Sequence, residues 1–392
     1  VPLRSIVLPI LLNNNLLLAN STDVPMPNST NLVLPANALH VWVLAPYVVT
    51  NDANLDYYYD FTQSIAEYTA VFAQLGVSWQ WQPVTMASYA DIIAQIAQTQ
   101  ACTSIQQVVL NLCDGDEVNG TPGISVVQLL AQYGLCYTGA DAFFYHITTS
   151  KIDMKQAFDA AAVPTPKWLA IRQPTDDVSE LFTQLGTPVI VKPSVSGGSM
   201  GVGVKNVVHT MPALQEQVAA MFAGYRGWQL ATDGLVAEAF IDGPEFTVLI
   251  VGNYHQPERA IVYPPVERVF HESLPPHEQF LSFDRLWEIY EDETPMPNNA
   301  NFYEYAVPDK ALHNAIMQVA WDAYFAVKGT GYTRVDIRMD KATKKLYVLE
   351  VNAQCGISED ENFTSIGAIL RFANISFTEL VVQIINNALA KS

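Results

Sequence analysis

From His40 onward, apolar and polar positions follow two rhythms. HVWVLAP (40–46), VSWQWQPV (77–84) and QQVVLNLCDG (106–115) are short runs rich in Val, Leu and Trp. FTQSIAEYTAVFAQLG (61–76), SYADIIAQIAQTQ (88–100) and ISVVQLLAQYG (124–134) repeat apolar residues every three or four positions. The first rhythm predicts strands and the second helices. Two of the helices stop at a glycine, Gly76 and Gly134, as helix ends commonly do. Strand and helix in alternation predict a parallel sheet, whose ligands bind beyond the carboxyl ends of its strands. Asp114, Asp116 and Glu117 follow one such end, and Asp52 and Asp56 another; Asp60, close by, is a further acid to consider.

The pattern then changes. Ser150 with Asp153 has the spacing of a helix N-cap, opening a helix over 151–163. PVIVKPSVSGGSMGVGVKNV (188–207) reads as strand, Gly/Ser loop, strand, and MPALQEQVAAMFAGY (211–225) as a helix. LVAEAFIDGPEFTVLIVG (235–252) predicts two strands in a hairpin about Asp242-Gly243. Residues 253–308, rich in proline, aromatics and acid, predict a long irregular segment, either a functional lid or a disordered stretch. A helix over 311–329 leads into GYTRVDIRMDKATKKLYVLEVNAQCG (331–356), two strands about a polar turn. The last helix opens with a capping box, Ser376 and Glu379, and buries Leu380, Ile384 and Leu389. The implied division is an extension over 1–37, an α/β domain over 38–144, a central subdomain over 145–236 and a C-terminal subdomain over 237–392.

Composition narrows the function classes. The chain has 392 residues, half of them hydrophobic, so it is long enough for more than one packed domain. Its net charge of −19 argues against a nucleic-acid surface. It does not exclude an anionic nucleotide held by a few local lysines. Cys102, Cys113, Cys136 and Cys355 form no CxxC pair, which predicts reduced thiols and neither a zinc site nor a disulfide frame. RSIVLPILLNNNLLLANS (4–21) has the outline of a signal peptide, but Asn13-Asn14-Asn15 and Pro9 interrupt it. No run of ~20 apolar residues predicts a membrane span.

The chemistry concentrates in three segments. If the 331–356 hairpin is symmetrical about Thr343, Asp336 faces Glu350 and Arg334 faces Asn352. Residues two apart on a strand share a face, so these four share one and Val335, Ile337, Leu349 and Val351 the other. Two carboxylates and an amide on one face make an oxygen site for a hard cation such as Mg²⁺. A solvated face of an edge hairpin is the alternative reading of the same residues. The loop at 196–201 lets backbone N–H groups approach an anion, and reads as a flap over phosphates. Glu245 is able to accept both hydroxyls of a ribose.

Taken in order, these motifs resemble the ATP-grasp ligases, and within them the D-alanine–D-alanine ligase family. The matching stretches are Cys-Tyr-Thr-Gly-Ala (136–140), Thr-Ser-Lys (149–151), Val-Lys-Pro with its Gly/Ser loop, Glu-x-Phe-Ile-x-Gly-x-Glu-Phe-Thr-Val (238–248), Arg-Val-Asp (334–336) and Leu-Glu-Val-Asn (349–352) followed by Gly356. The resemblance implies an α/β protein with an ATP-grasp fold behind an N-terminal parallel α/β domain. It implies an ATP-dependent ligase that joins a carboxylate to an amine through an acyl phosphate, both being small molecules. Lys151 and Lys192 would meet the α- and β-phosphates, Glu238 and the backbone near Ile241 the adenine, and Glu245 the ribose. Asp336, Glu350 and Asn352 would hold two Mg²⁺ ions, with Mn²⁺ an acceptable substitute. Arg334, Gly356 and Ser199 would act on the reacting groups. ATP dependence implies a cytoplasmic enzyme with no nucleic-acid or membrane partner; a homodimer is left open.

Departures from the family bear on the substrates. Its flap carries two serines after a glycine, where this chain has Gly198-Ser199. Its lid carries a Lys-Tyr pair, yet no lysine lies between Lys205 and Lys310; Arg285 or Arg268 is the expected stand-in. Its Ser-Leu pair, which binds the acceptor carboxylate, is replaced in this reading by Glu359-Asp360-Glu361-Asn362, which would repel a carboxylate. The expected acceptor is therefore something other than D-alanine. A family glutamate for the donor amine has only Asp56 and Asp60 as counterparts. The ordinary D-alanine ligase, and a nucleotide-binding protein without turnover, are the competing readings.

Overall fold

The computed structural model describes residues 34, 38–48, 60–225, 227–290, 293–360 and 362–391. The expectations placed on Asp52, Asp56, Glu361 and nearly all of 1–37 fall outside these residues. Of the extension, Leu34 is described, and it is buried in the first hydrophobic core.

Three sheets organise the chain. The first is parallel throughout, in the order β2-β1-β3-β4: β1 (Leu39–Pro46), β2 (Ser78–Val84), β3 (Gln106–Asn111) and β4 (Cys136–Tyr137). Its helices α1 (Thr62–Leu75), α2 (Tyr89–Cys102) and α3 (Ile124–Gln132) fall where the apolar period places them. Gly76 closes α1 in the left-handed conformation that its missing Cβ permits. Two helices follow, α4 (Ala142–Thr149), which the sequence reading passed over, and α5 (Lys151–Ala160). The Ser150 hydroxyl accepts from the Asp153 N–H, the expected N-cap.

The second sheet is antiparallel, in the order β5-β8-β6-β7: β5 (Trp168–Ile171), β6 (Val189–Pro193), β7 (Val207–Val208) and β8 (Leu235–Ala239). Helices α6 (Leu181–Leu185) and α7 (Met211–Ala223) contribute Leu181, Leu214, Val218 and Met221 to its core. The third sheet runs β12-β11-β9-β13-β14, with β10 also on β9. Its strands are β9 (Glu245–Asn253), β10 (Ile261–Val262), β11 (Val266–Phe270), β12 (Tyr303–Ala306), β13 (Thr330–Met339) and β14 (Leu346–Ala353). The short α8 (Phe283–Trp287) lies between β11 and β12, and α9 (Lys310–Ala326) covers the β13–β14 hairpin. The chain ends in α10 (Ser365–Ala373), also passed over, and α11 (Phe377–Leu389), which carries the expected capping box. No single described helix is long and apolar enough to cross a membrane.

Two sequence expectations need correction. The Asp242-Gly243 turn makes no hairpin: β8 belongs to the second sheet and β9 to the third. Gly243, at φ +151°, lies against the Met339 carbonyl, where a Cβ would collide, and the Lys341 N–H donates to the Asp242 carbonyl at 2.9 Å. Turn chemistry fixes a bend but not the partner of the strand that follows. Residues 253–308 are also more regular than expected, because β10, β11 and β12 all join the third sheet.

The hairpin register is as expected at the site and slips beyond it. Arg334 pairs with Asn352 and Asp336 with Glu350, but Ile337 then pairs with Val348. This bulge places Val348 in the core and turns Leu349 onto the cavity described below, correcting its expected place on the buried face.

Candidate active site

A cavity of about 650 Å³ lies between the second and third sheets and reaches the carboxyl end of β3. Lys151, Lys192, Ser199, Glu238, Ile241, Glu245, Arg334, Asp336, Glu350, Asn352 and Gly356, far apart in sequence, all line it.

At the β8 end, Glu238 is almost fully buried between two lysines. Lys155 approaches one carboxylate oxygen at 2.7 Å, and Lys192 bonds the other. Burial alone would raise the Glu238 carboxyl; the lysines overcome it and hold it down at about 2. Burial also lowers Lys155, against the pull of Glu238. Past β8, the Ala239 and Phe240 N–H groups are spent on the carbonyls of Lys167 and Pro188. The Ile241 N–H has no backbone partner of this kind among the described residues.

Glu245, opening β9, is likewise held by two cations. Arg268 of β11 bonds one oxygen, and Arg338 of β13 lies 3.6 Å from the other. Arg268 stands over the rings of Tyr303 and Tyr305, at 5.3 and 5.5 Å.

The hairpin face is compensated differently. Asp336 accepts from Thr247 Oγ1 at 2.9 Å and from Arg334 Nε and Asn352 Nδ2 at 3.0 Å. Asn352 Nδ2 also reaches Glu350 at 3.3 Å, and the nearest cation to Glu350 is Lys151, 3.5 Å away. Burial raises the Asp336 carboxyl; Arg334 opposes this and Glu350 adds to it. Glu350 is lowered, because Lys151 and Arg334 outweigh its burial.

The Gly/Ser loop covers these groups. Lys151 Nζ donates to the Ser196 carbonyl at 3.1 Å. Ser199, at φ +62°, lies at the loop tip. The lid docks on the loop: Trp287 Nε1 donates to the Gly198 carbonyl at 2.9 Å, and Phe283 N–H to Val202 at 2.8 Å. Glu293 accepts from the Val204 N–H at 2.8 Å and from Ser282 Oγ at 2.7 Å.

Arg285 is not among the cavity's lining. It is buried on α8, paired with Glu278 at 2.6 Å and Glu293 at 3.4 Å. Arg268 does line the cavity. Nor do Glu359 and Asp360 line it. Asp360 Oδ1 accepts from the Asn362 and Phe363 N–H groups, closing its own turn. Ser358, Phe363, Thr364 and Ser365 face the cavity instead, Ser365 as the first residue of α10. Asp56 and Glu361 lie outside the described residues.

Several residues at the site escaped the sequence reading. Lys155 carried a signal, since it lies one helical turn after Lys151 on the same face. Arg338, two residues after Asp336 on β13, carried one too. Gln354 carried none: its buried amide accepts from the Ala140 N–H at 2.8 Å and donates to the Asn111 carbonyl at 3.0 Å, fastening the hairpin to β3. Gly139 makes room for it, because a Cβ there would collide with Gln354 Oε1.

Comparison with known proteins bears on the family and the fold. The family model described as D-ala D-ala ligase C-terminus matches residues 157–386, more than half of the chain. The D-alanine–D-alanine ligase B of Xanthomonas campestris is 29% identical over 307 residues, covering 77% of this chain and 84% of that protein. The D-alanine–D-alanine ligase of Xanthomonas axonopodis is 28% identical over 285 residues, covering 72% and 78%. Among solved structures, the ATP complex of the Bacillus anthracis D-alanine–D-alanine ligase superposes with a TM-score of 0.62 at 19% identity, covering 90% of this chain and 98% of that one. The Coxiella burnetii enzyme gives 0.59 at 17%, covering 90% and 96%.

Proposed function

This chain belongs to the D-alanine–D-alanine ligase family, and we propose that it is an ATP-dependent carboxylate–amine ligase acting through an acyl phosphate. One observation carries the reading: Asp336, Glu350 and Asn352 share one face of a hairpin beneath a Gly/Ser loop, with Lys151 and Arg334 beside them. Phosphoryl transfer calls for this combination of positioning and charge neutralisation.

In the proposed reaction the γ-phosphoryl of ATP passes to a substrate carboxylate. An amine then attacks the acyl carbon, loses its proton, and phosphate leaves. Lys151 and Lys192 hold the α- and β-phosphates. The free Ile241 N–H and Glu238 receive adenine, and Glu245 the ribose hydroxyls. Arg334 and the Gly356 N–H face the oxyanion of the tetrahedral intermediate, and Ser199 on the loop orients the reacting end. Asp336, Glu350 and Asn352 fit a hard divalent cation, because two carboxylates, one buried and one half-buried, face each other in register with an amide beside them. Asn352 would turn its amide to present Oδ1. Mg²⁺ bound there supplies charge neutralisation on the phosphates.

The substrates proposed are amino-acid-like and differ from the usual D-alanine pair. The acidic run no longer supports this, since Glu359 and Asp360 do not line the cavity. The lid does: it presents Leu286, Trp287 and Ile289 where the family carries its Lys-Tyr pair. The ordinary D-alanine ligase is the second reading. Ser365 favours it, as a cavity-lining serine downstream of Gly356 that is followed by the apolar Ile366.

The test is phosphate and ADP release from ATP and Mg²⁺ with a panel of D- and L-amino acids and amines, alone and in pairs. Turnover that requires both a carboxylate and an amine supports the ligase. D-alanine as the best donor and acceptor selects the second reading. ATP hydrolysis indifferent to every pair overturns both.

A further inference from the structure

Part of the cavity wall is apolar. In the lid, Leu286, Trp287 and Ile289 line the cavity, whereas Glu288 between them is exposed and does not. Trp287 bonds the flap at Gly198, next to Ser199, so this apolar group stands beside the loop that orients the reacting end in the reading above.

Phe363 lines the cavity as well. At 72% exposure it is the most exposed large hydrophobic side chain among the described residues, with Phe143 and Phe325 next at 48%. A single exposed phenylalanine on a surface means little. This one borders a cavity, and its backbone is pinned on both sides. Its N–H donates to Asp360 Oδ1 at 3.1 Å, and its carbonyl accepts from the Tyr303 hydroxyl at 3.1 Å. Thr364 Oγ1, the next side chain, donates to the Asp360 carbonyl at 2.6 Å. Tyr303 also lines the cavity and lies close enough to Arg334 to feel its charge. Phe363 is thus held near the acyl end with its ring uncovered, and an apolar group bound there would cover it.

We propose that the acyl end takes a substrate whose side chain is apolar and larger than a methyl group, packed against Phe363 and the lid residues Leu286 and Ile289. This rests on the ligase reading for which end reacts. It makes Phe363 a specificity-determining residue. A larger apolar side chain removes more surface from water, whereas a polar one of equal size meets no hydrogen-bond partner on these three side chains.

The test is calorimetric titration of the protein loaded with a non-hydrolysable ATP analogue. The probes are the D- and L-forms of alanine, leucine, phenylalanine and asparagine, the last a polar match for leucine in size. The wild-type protein is expected to bind leucine or phenylalanine at least about tenfold more tightly than either alanine or asparagine, as for added methylenes in an apolar pocket. Phe363→Ala is expected to lower that preference over alanine at least about threefold. A smaller change in Phe363→Ala overturns the proposal, and so does a wild-type protein that binds alanine or asparagine as tightly as the large apolar amino acids, or binds none of them. The wild-type comparison needs no variant, so it decides even if Phe363→Ala folds poorly. Failure of the ligase reading is seen separately, as absence of pair-dependent phosphate release with these binding preferences intact.

Discussion

The two ends of the cavity hold their carboxylates in different ways. At the end proposed for adenine, Glu238 lies between Lys155 and Lys192, and Glu245 between Arg268 and Arg338. Each acid has two cations, and every partner comes from a different strand or helix. At the hairpin, Asp336 and Glu350 face each other with Arg334 on one and Lys151, at 3.5 Å, on the other. The adenine end is thus complete in protein alone and adds to the fold. The hairpin keeps two like charges in register, an arrangement that favours an added cation over stability of the bare protein. The difference separates groups whose loss would damage folding from groups whose loss would damage chemistry.

The sharpest test is Glu238→Gln. It leaves Lys155, about 1% exposed, beside Lys192 with no counter-charge. A cost of about 3–5 kcal/mol in urea unfolding is expected for breaking such a buried cluster. The wild-type protein should show the same dependence on acid. The folded Glu238 carboxyl stands at about 2 against an ordinary 4.5. Its contribution is therefore present above 4.5 and lost as the pH falls towards 2. A variant as stable as the wild type would show that the adenine end is no structural keystone.

Asp336→Asn and Glu350→Gln should behave in the opposite sense. Either relieves a repulsion, so neither should lower the melting temperature by more than a few degrees. Each should lower kcat on the order of 10²–10³-fold, as for loss of one preorganised charge-stabilising group. Mg²⁺ titrations followed by thermal shift give a second readout, in which both variants should respond less than the wild type. Unfolding of these variants with normal turnover would reverse the comparison.

Lys192 belongs to both descriptions, since it bonds Glu238 and lines the cavity. Lys192→Ala should weaken ATP by about 1.5–3 kcal/mol, the range for a charge-assisted contact. Calorimetry with unchanged nucleotide affinity would assign Lys192 to the structural cluster alone.

How much of this was legible in the sequence differs between the two ends as well. The hairpin could be read because its four site residues depend only on strand period and a symmetrical turn, both local properties. The parallel sheet was legible for the same reason, as each βα step declares itself. The Glu238–Glu245 end was only half legible: Glu238, Glu245 and Lys192 stood in motifs, but Arg268 and Arg338 are brought to Glu245 by sheet pairings between distant strands and Lys155 reaches Glu238 from α5. The Asp242-Gly243 turn misled because it joins two sheets instead of two paired strands. Of the acidic run, Asp360 folds back on its own turn, which charge counting does not reveal.

The smallest expected effect tests the register of the hairpin itself. Symmetry about Thr343 would bury Leu349 beside Ile337, whereas the bulge after Asp336 gives the core position to Val348. Ile337 is fully buried, so Ile337→Val should cost about 0.5–1.5 kcal/mol, the usual price of one methyl group removed from a packed core. Leu349 lines the cavity and has room beside it, so Leu349→Val should change stability by less than about 0.5 kcal/mol. It should alter ligand affinity instead. The two variants differ by one methylene each and sit on the same hairpin, so their stabilities can be compared directly in parallel urea titrations. Equal losses would mean that Leu349 is core and that the bulge is absent. The four polar residues would still pair, because the slip begins only beyond Asp336 and Glu350. A strand can thus keep its polar face in register while its buried face shifts by one residue, and unequal losses in these two variants are the measurable sign of that arrangement.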